Sequence, residues 1–188
     1  MQTERIVGEI VRTPERREVV AGVAVFAATP DGCFYAIRER RTKRRTLKIK
    51  GMLSAPFETV EAGETYEQAV ARTFKEEIVT GLPTPQLGPR LCSMCFSEGV
   101  WLHAYLIEVD ARFNATTGLG GEDIEPYGWV HSSLVENAPR GLFRPGNREI
   151  VASFRAYQQE GENFKPRVYF TTSDYITEEE YCSAEGRC

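Results

Sequence analysis

Residues 102–109, LHAYLIEV, constrain the fold more than any other segment of this chain. Apolar residues occupy both alternations of the segment, whereas a strand with one face in water alternates apolar and polar residues. A strand of this kind must be covered on both faces. The sequence therefore predicts a sheet with helices packed against each of its sides.

Other segments supply further strands and helices for such a fold. Residues 19–29 are apolar and β-branched, and residues 33–40 continue the pattern after the turn signal PDG, which predicts a hairpin. Residues 127–131 predict a short strand, and residues 145–159 carry apolar residues at helical spacing. This order of elements favours an α/β fold with a mixed sheet in a single domain.

The apolar pattern weakens towards the C-terminal end. We therefore assign residues 1–160 to the folded domain and residues 161–188 to a C-terminal extension, in which acidic residues accumulate. We expect this extension to contain an additional strand followed by a mobile end.

Composition excludes several classes of protein. The net charge of −4 argues against a general nucleic-acid coat, so nucleic acid is not the expected partner. No apolar run reaches transmembrane length, and residues 1–17 are too charged for a signal peptide, so we expect a cytoplasmic protein without a membrane partner. An odd number of cysteines, five, suits a reducing compartment. A homodimer stays open.

The segment GETYEQAVARTFKEE, residues 63–77, predicts a helix from about Tyr66 to Val79. Thr65 and Gln68 form a capping box, in which each side chain accepts a hydrogen bond from the backbone N–H of the other residue. Turn residues precede this box. A helix beginning at Tyr66 follows.

Glu77 falls on the apolar face of this helix. At about 100° per residue it lies about 20° from Val70, whereas Glu76 lies about 120° from Val70. Burying an unpaired carboxylate costs roughly several kcal/mol, so a cation, an arginine or a proton should lie beside Glu77. Arg72 and Glu64 can meet only if the turn before the helix folds back alongside it.

These residues resemble the Nudix box, the loop–helix–loop motif of the Nudix hydrolases. Glu64, Arg72, Glu76 and Glu77 all fall in register with the charged positions of that box. The similarity extends more loosely over residues 18–160. It implies a Nudix-type α/β/α sandwich with a mixed sheet.

The resemblance also implies an activity and its residues. Family members hydrolyse a nucleoside diphosphate linked to another group, with Mg²⁺ or Mn²⁺ as the cofactor and a small nucleotide as the substrate. The resemblance places Glu76 and Glu77 on the metal as an inward-aimed pair. It gives catalytic roles to Glu77 and Arg72. By the same resemblance, Glu64 and Arg72 together support the box. The stretch APFETVEAGE is closest to ADP-ribose-type members, which favours an ADP-ribose or nucleotide-sugar pyrophosphatase.

Three residues depart from the box. Glu58 stands at its first glycine, Thr73 replaces the glutamate that follows the arginine, and Val79 replaces the closing glycine, although Gly81 could end a longer helix. A threonine hydroxyl cannot accept a proton from water near neutral pH, and losing a general base costs about 10²–10⁴-fold in rate. Thr73 therefore predicts a slower catalyst whose proton acceptor lies elsewhere.

Two carboxylates are candidates for that acceptor. Glu58 places a carboxylate in the turn that should face the metal, where it can also serve as a ligand. Glu122 lies in a glycine-rich acidic segment, residues 118–129, which resembles the loop from which ADP-ribose members draw a base; Asp123 and Glu125 follow it. A flexible acidic surface loop is the alternative.

Two other functions stay open. Thr73 makes a Nudix-fold sensor that binds a nucleotide without cleaving it a credible alternative. Residues 38–50 carry eight basic residues and one acid, so they form either a solvated loop, a guide for polyphosphate, or the surface of an RNA or protein adaptor. His103 and His131 lie singly on strand patterns, and we interpret both as structural.

Overall fold

The computed structural model describes residues 20–43, 48–78, 83, 86–97, 100–114 and 123–170. The elements in these residues are, in chain order, β1 (Val20–Ala28), β2 (Cys33–Glu39), β3 (Leu53–Ser54), β4 (Phe57–Thr59), α1 (Tyr66–Glu77), β5 (Arg90–Ser97), β6 (Val100–Glu108), β7 (Ile124–His131), α2 (Ser132–Asn137), α3 (Asn147–Glu160) and β8 (Arg167–Tyr169). None of the helices in this part of the chain has the length and apolar character needed to cross a membrane.

The strands form one mixed sheet. Its order is β3-β2-β1-β6-β5-β8, with β4 paired to β1 and β7 paired to β2. β1 runs parallel to β6 along its whole length, and β5 runs antiparallel to β6. The predicted hairpin of β1 and β2 is confirmed at its turn, where Ala28 lies opposite Phe34. Beyond the turn β2 pairs antiparallel with β7.

Side chains of β1 alternate between two separate cores. Val25 packs in one core with Val70 and Phe74 of α1. Phe26 packs in the other, where its ring centroid lies 5.1 Å from that of Phe154 on α3. Helices thus cover both faces of the sheet, as the sequence predicted, and the fold is an α/β/α sandwich.

Strand β6 lies at the centre of this sandwich. Residues 102–107 are buried without interruption, which confirms the prediction of a strand covered on both faces. His103 lies within it and its Nδ1 is 2.8 Å from Oγ of Ser93. His131 caps α2, since its Nδ1 accepts the backbone N–H of Ser133 at 3.2 Å. These contacts fit the structural roles expected for both histidines.

Part of the C-terminal extension joins the sheet. β8 pairs parallel with β5 through Arg167, Val168 and Tyr169, so an additional strand follows α3 as the sequence led us to expect. Residues 171–188 lie outside the described residues. The division of the chain at residue 160 stays a prediction.

Helix α3 begins at a glycine that lies close to β5. Gly146 has a φ of +99°, and an added Cβ would lie 3.1 Å from Phe96 and 3.2 Å from Met94. We expect Gly146→Ala to lower the free energy of unfolding by about 2–4 kcal/mol, from left-handed backbone strain and crowding together. Urea denaturation measures this loss.

Gly141→Ala is the matched control for this prediction. Gly141 has a φ of +86°, but no atom lies within 4 Å of an added Cβ. Its loss should therefore report the backbone strain alone. Equal losses in the two variants would contradict the close approach of Gly146 to β5.

Candidate functional site

The capping box positions α1 at the start of the site. The backbone N–H of Gln68 donates to Thr65 Oγ1 at 3.2 Å, and the backbone N–H of Thr65 donates to Gln68 Oε1 at 2.8 Å. This confirms the predicted box. The helix ends at Glu77 with Ile78 as its C-cap. Val79 and Gly81, which we considered for the helix end, lie outside the described residues.

An ion pair ties the preceding turn to this helix. Arg72 donates through Nε and Nη2 to the two carboxylate oxygens of Glu64, at 2.9 and 3.0 Å, and Nη2 also donates to the carbonyl of Thr59 at 2.8 Å. These hydrogen bonds from Arg72 lower the pKa of Glu64, and that of Arg72 is raised in turn. The guanidinium of Arg72 therefore binds the turn and orients the turn relative to the helix.

Glu76 lies away from the interior. Its side chain is 45% exposed, and its Oε2 is 3.6 Å from Nη1 of Arg72 one turn earlier in the helix. The expectation of an inward-aimed pair is therefore wrong for Glu76, because its helical angle turns it towards Arg72 rather than towards the sheet.

Glu77 points inward, as the helical spacing predicts. It is half-buried, and its Oε2 is buried without a hydrogen-bond partner among the described residues. Burial raises the pKa of this carboxyl to about 8; the charges of Glu58 and Glu39 add to this effect, and those of Lys48 and Arg144 oppose it. An added positive charge beside Glu77 would relieve the cost of ionising it.

A buried ion-pair cluster acts electrostatically on Glu77. The Glu39 side chain has no exposed surface; its Oε2 is 3.2 Å from Nζ of Lys48, and its Oε1 is 3.4 Å from Nη1 of Arg144. Arg144 also lies over the ring of Phe57, 4.7 Å from its centroid. Sequence reasoning missed this cluster. The one signal was Glu39 itself, the only acid in a strongly basic segment, and Arg144 gave none.

Glu58 lies on β4, opposite Val23 of β1. This position has strand geometry, so the glutamate at the first glycine of the box carries no left-handed strain. Glu58 is half-buried, and its Oε1 accepts the backbone N–H of Thr59 at 2.8 Å. Its charge raises the pKa of Glu77, which places the two carboxylates in one electrostatic neighbourhood.

Thr73 lies in the packed interior between α1 and the sheet. It has no exposed surface, and its Oγ1 donates to the carbonyl of Ala69 at 2.8 Å. Ionising a carboxylate at a position with no exposed surface would carry a desolvation cost. The threonine is therefore a packing residue, and it satisfies its own hydroxyl within the helix.

The acidic segment near residue 122 is only partly described. Glu122 lies outside the described residues. Asp123 forms ion pairs with Lys43 and with Arg41, the latter at 3.3 Å, and the hydrogen bond from Lys43 is the main cause of its lowered pKa. A carboxylate stabilised in this way is a weak proton acceptor near neutral pH.

A cleft of about 610 Å³ opens beside Glu39. Four basic and two acidic side chains contribute to its lining, together with a glycine: Arg38, Arg40, Arg41, Lys50, Glu39, Glu125 and Gly51. Arg38 is paired with Glu125 at 3.2 Å and lies over the exposed ring of Tyr127, 4.8 Å from its centroid. We call this feature the basic cleft.

Glu77 and Glu58 are the side chains best placed to hold a cation. Within the described ranges, no group of three or more His, Cys, Asp or Glu side chains forms a candidate metal site. Proteins hold an ion such as Mg²⁺ by one or two carboxylates, with waters and substrate phosphates supplying the other oxygens. The buried free oxygen of Glu77 fits such a ligand.

No family model matches the sequence, and no curated protein is significantly similar to it. Solved structures share the fold. An ADP compounds hydrolase superposes with a TM-score of 0.57 at 17% identity, covering 79% of this chain and 77% of that one. A NUDIX hydrolase from Nitrosomonas europaea gives 0.53 at 13% identity, covering 81% and 78%. A MutT NUDIX hydrolase from Burkholderia pseudomallei gives 0.52 at 20% identity, covering 71% and 96%.

Replacing Glu77 by a neutral residue should stabilise the metal-free protein at pH values above 4.5, the ordinary pKa of a glutamate. The folded pKa of about 8 lies above the ordinary 4.5, so the folded state holds the proton more tightly and the wild type loses stability as the pH rises from 4.5 to 8. Glu77→Gln avoids this loss, and we expect it to gain about 4 kcal/mol at pH 8 relative to pH 4.

Urea denaturation in a chelating buffer, from pH 4 to pH 8, measures this gain. Glu67→Gln is the control, because Glu67 is an exposed acid in the first turn of the same helix. A stability difference between Glu77→Gln and the wild type that stays constant over the pH range would contradict the prediction.

Proposed function

On the premise that this chain has the Nudix fold, we propose that it is a divalent-metal-dependent pyrophosphohydrolase. Its substrate is a nucleoside diphosphate linked to a second group. The observation that carries this proposal is Glu77, whose buried Oε2 has no hydrogen-bond partner in the described part of the chain. A neutral residue at position 77 would make the fold more stable. The carboxylate of Glu77 offsets this cost when it binds a cation.

The proposed ligands of Mg²⁺ or Mn²⁺ are Glu77 and Glu58, with Glu76 at the rim. When bound, the ion supplies a Lewis acid for the phosphate and lowers the pKa of a bound water. Arg72 and Glu64 keep Glu58 and the helix in one arrangement by bracing the turn between them. Glu77 then faces the diphosphate from the helix.

The proton acceptor is the least conventional part of this proposal. Thr73 cannot fill the role, because its hydroxyl is buried and donates to Ala69. Glu58 is the first candidate among the described residues, since its carboxylate lies in the electrostatic neighbourhood of Glu77. Glu122 remains the candidate from the acidic loop.

We infer that the substrate is of the ADP-ribose or nucleotide-sugar type. The segment at residues 55–64 supports this through its similarity to ADP-ribose-type members. One structural neighbour is an ADP compounds hydrolase, although at 17% identity it supports the fold alone.

The second candidate is a nucleotide-binding sensor that does not hydrolyse its ligand. Thr73 favours it, because the carboxylate usual at that position of the box is replaced by a packing residue. Such a protein would retain Glu77 for the cation and bind the diphosphate without attack by water. Product formation separates the two functions.

A substrate panel with Mg²⁺ or Mn²⁺ tests the hydrolase. ADP-ribose, nucleotide sugars, dinucleotides and nucleoside triphosphates are incubated with the wild type, and products are separated by ion-exchange chromatography. Turnover should fall by at least about 10²-fold in Glu77→Gln, because a metal ligand is lost. Glu67→Gln, the exposed control, should keep full activity. Tight nucleotide binding without products would overturn the hydrolase in favour of the sensor.

The role of Glu58 is tested on the same substrates. We expect Glu58→Gln to lower kcat by about 10²–10⁴-fold if its carboxylate accepts the proton. Because a ligand also binds the ion, Mn²⁺ affinity measured by electron paramagnetic resonance accompanies the assay. A variant with unchanged turnover and unchanged Mn²⁺ affinity would remove Glu58 from the site.

A further inference from the structure

Two cations in the basic cleft have no counter-charge among the described residues. Arg40 and Lys50 are exposed, and across the described ranges neither side chain forms an ion pair or a hydrogen bond. Their backbones are nevertheless held in place. The N–H of Arg40 donates to the carbonyl of Asp123 at 2.8 Å, and the N–H of Lys50 donates to Thr42 Oγ1 at 3.1 Å. Both charged side chains thus extend from backbone that hydrogen bonds hold in place.

The acids of the cleft are already compensated by other cations. Glu125 pairs with Arg38 at 3.2 Å. Glu39 turns its carboxylate to Lys48 and Arg144, at 3.2 and 3.4 Å. An excess of positive charge therefore remains in a concave space of about 610 Å³, which concentrates anions.

Glu39 links the basic cleft to the proposed metal ligands. It lines the cleft, its Oε1 is 3.4 Å from Nη1 of Arg144, and Arg144 lies over the ring of Phe57, the residue that precedes Glu58. A ligand whose diphosphate lies at Glu77 can therefore extend past Glu39 towards Arg40 and Lys50. The exposed Tyr127 lies beside the cleft-lining Arg38, whose guanidinium is over its ring.

We propose that the basic cleft binds phosphate of the substrate that lies outside the diphosphate to be cleaved. The preferred substrate is then a nucleotide derivative with at least one phosphate beyond that diphosphate, such as a phosphorylated ADP-ribose or a dinucleoside polyphosphate. Arg40 and Lys50 bind this additional phosphate and determine specificity. The substrate preference rests on the proposed hydrolase function. The binding of phosphate rests on the cleft alone.

Binding of inorganic tripolyphosphate tests the cleft without catalysis. Isothermal titration in a chelating buffer compares the wild type with Arg40→Gln/Lys50→Gln. The double variant should bind at least about 10-fold more weakly, and its affinity should depend less on salt, because two charge-assisted contacts are lost. Lys165→Gln/Arg167→Gln, which removes the same two types of charge at the exposed edge near β8, should bind as the wild type does.

Two outcomes of the titration would overturn the inference. One is unchanged tripolyphosphate affinity in Arg40→Gln/Lys50→Gln. The other is a higher affinity for a single-stranded RNA without terminal phosphates than for tripolyphosphate. Such a result would mean that the cleft recognises an RNA backbone.

Kinetics then test specificity. ADP-ribose is compared with ADP-ribose 2′-phosphate, and diadenosine diphosphate, which has no phosphate beyond the cleaved pair, with diadenosine hexaphosphate. In Arg40→Gln/Lys50→Gln, kcat/KM should fall about 10-fold or more for the phosphate-rich member of each pair and less than about 3-fold for the other. Equal losses for both members would overturn the inference and leave the hydrolase intact. Absence of turnover in every case would overturn the hydrolase, while the titration still decides the cleft.

Discussion

The ion pair between Arg72 and Glu64 determines the arrangement of the whole candidate site. It joins α1 to the turn that precedes it, and the additional hydrogen bond from Arg72 to the Thr59 carbonyl extends the brace to the end of β4. Glu58 lies on that strand and Glu77 on that helix, so the distance between them depends on this brace. A bidentate arginine suits the task, because its planar group holds direction as well as distance.

The charges around Glu77 give its carboxylate an electrostatic cost. Three carboxylates and two cations share one partly buried region, and the free oxygen of Glu77 has no partner among the residues described. Burying a carboxylate in this way costs stability that a neutral residue would recover. A bound cation would offset this loss of stability. The electrostatics of the site therefore agree with the function proposed for the protein.

Much of the fold and part of the site could be predicted from local patterns. The capping box, the strand covered on both faces and the inward direction of Glu77 all follow from the spacing of residues within one element. Glu76 shows the limit of the resemblance: its helical angle already placed it away from the apolar face, and its side chain pairs with Arg72 instead of pointing inward with Glu77. The hairpin of β1 and β2 was predicted from its turn signal, whereas the pairing of β2 with β7 along its length was not, because no local pattern encodes that distant neighbour.

The sequence by itself determined the two-faced sheet, the helix of the box and the aim of Glu77, since each depends on a period of two or about 3.6 residues. Only the tertiary structure decided the surroundings of that carboxylate. Glu39 meets Arg144 although 105 residues separate them, and the cleft forms where β2 and β7 come into register. Contacts of this range depend on how elements pack, and no local period encodes which distant side chain will neutralise a buried charge.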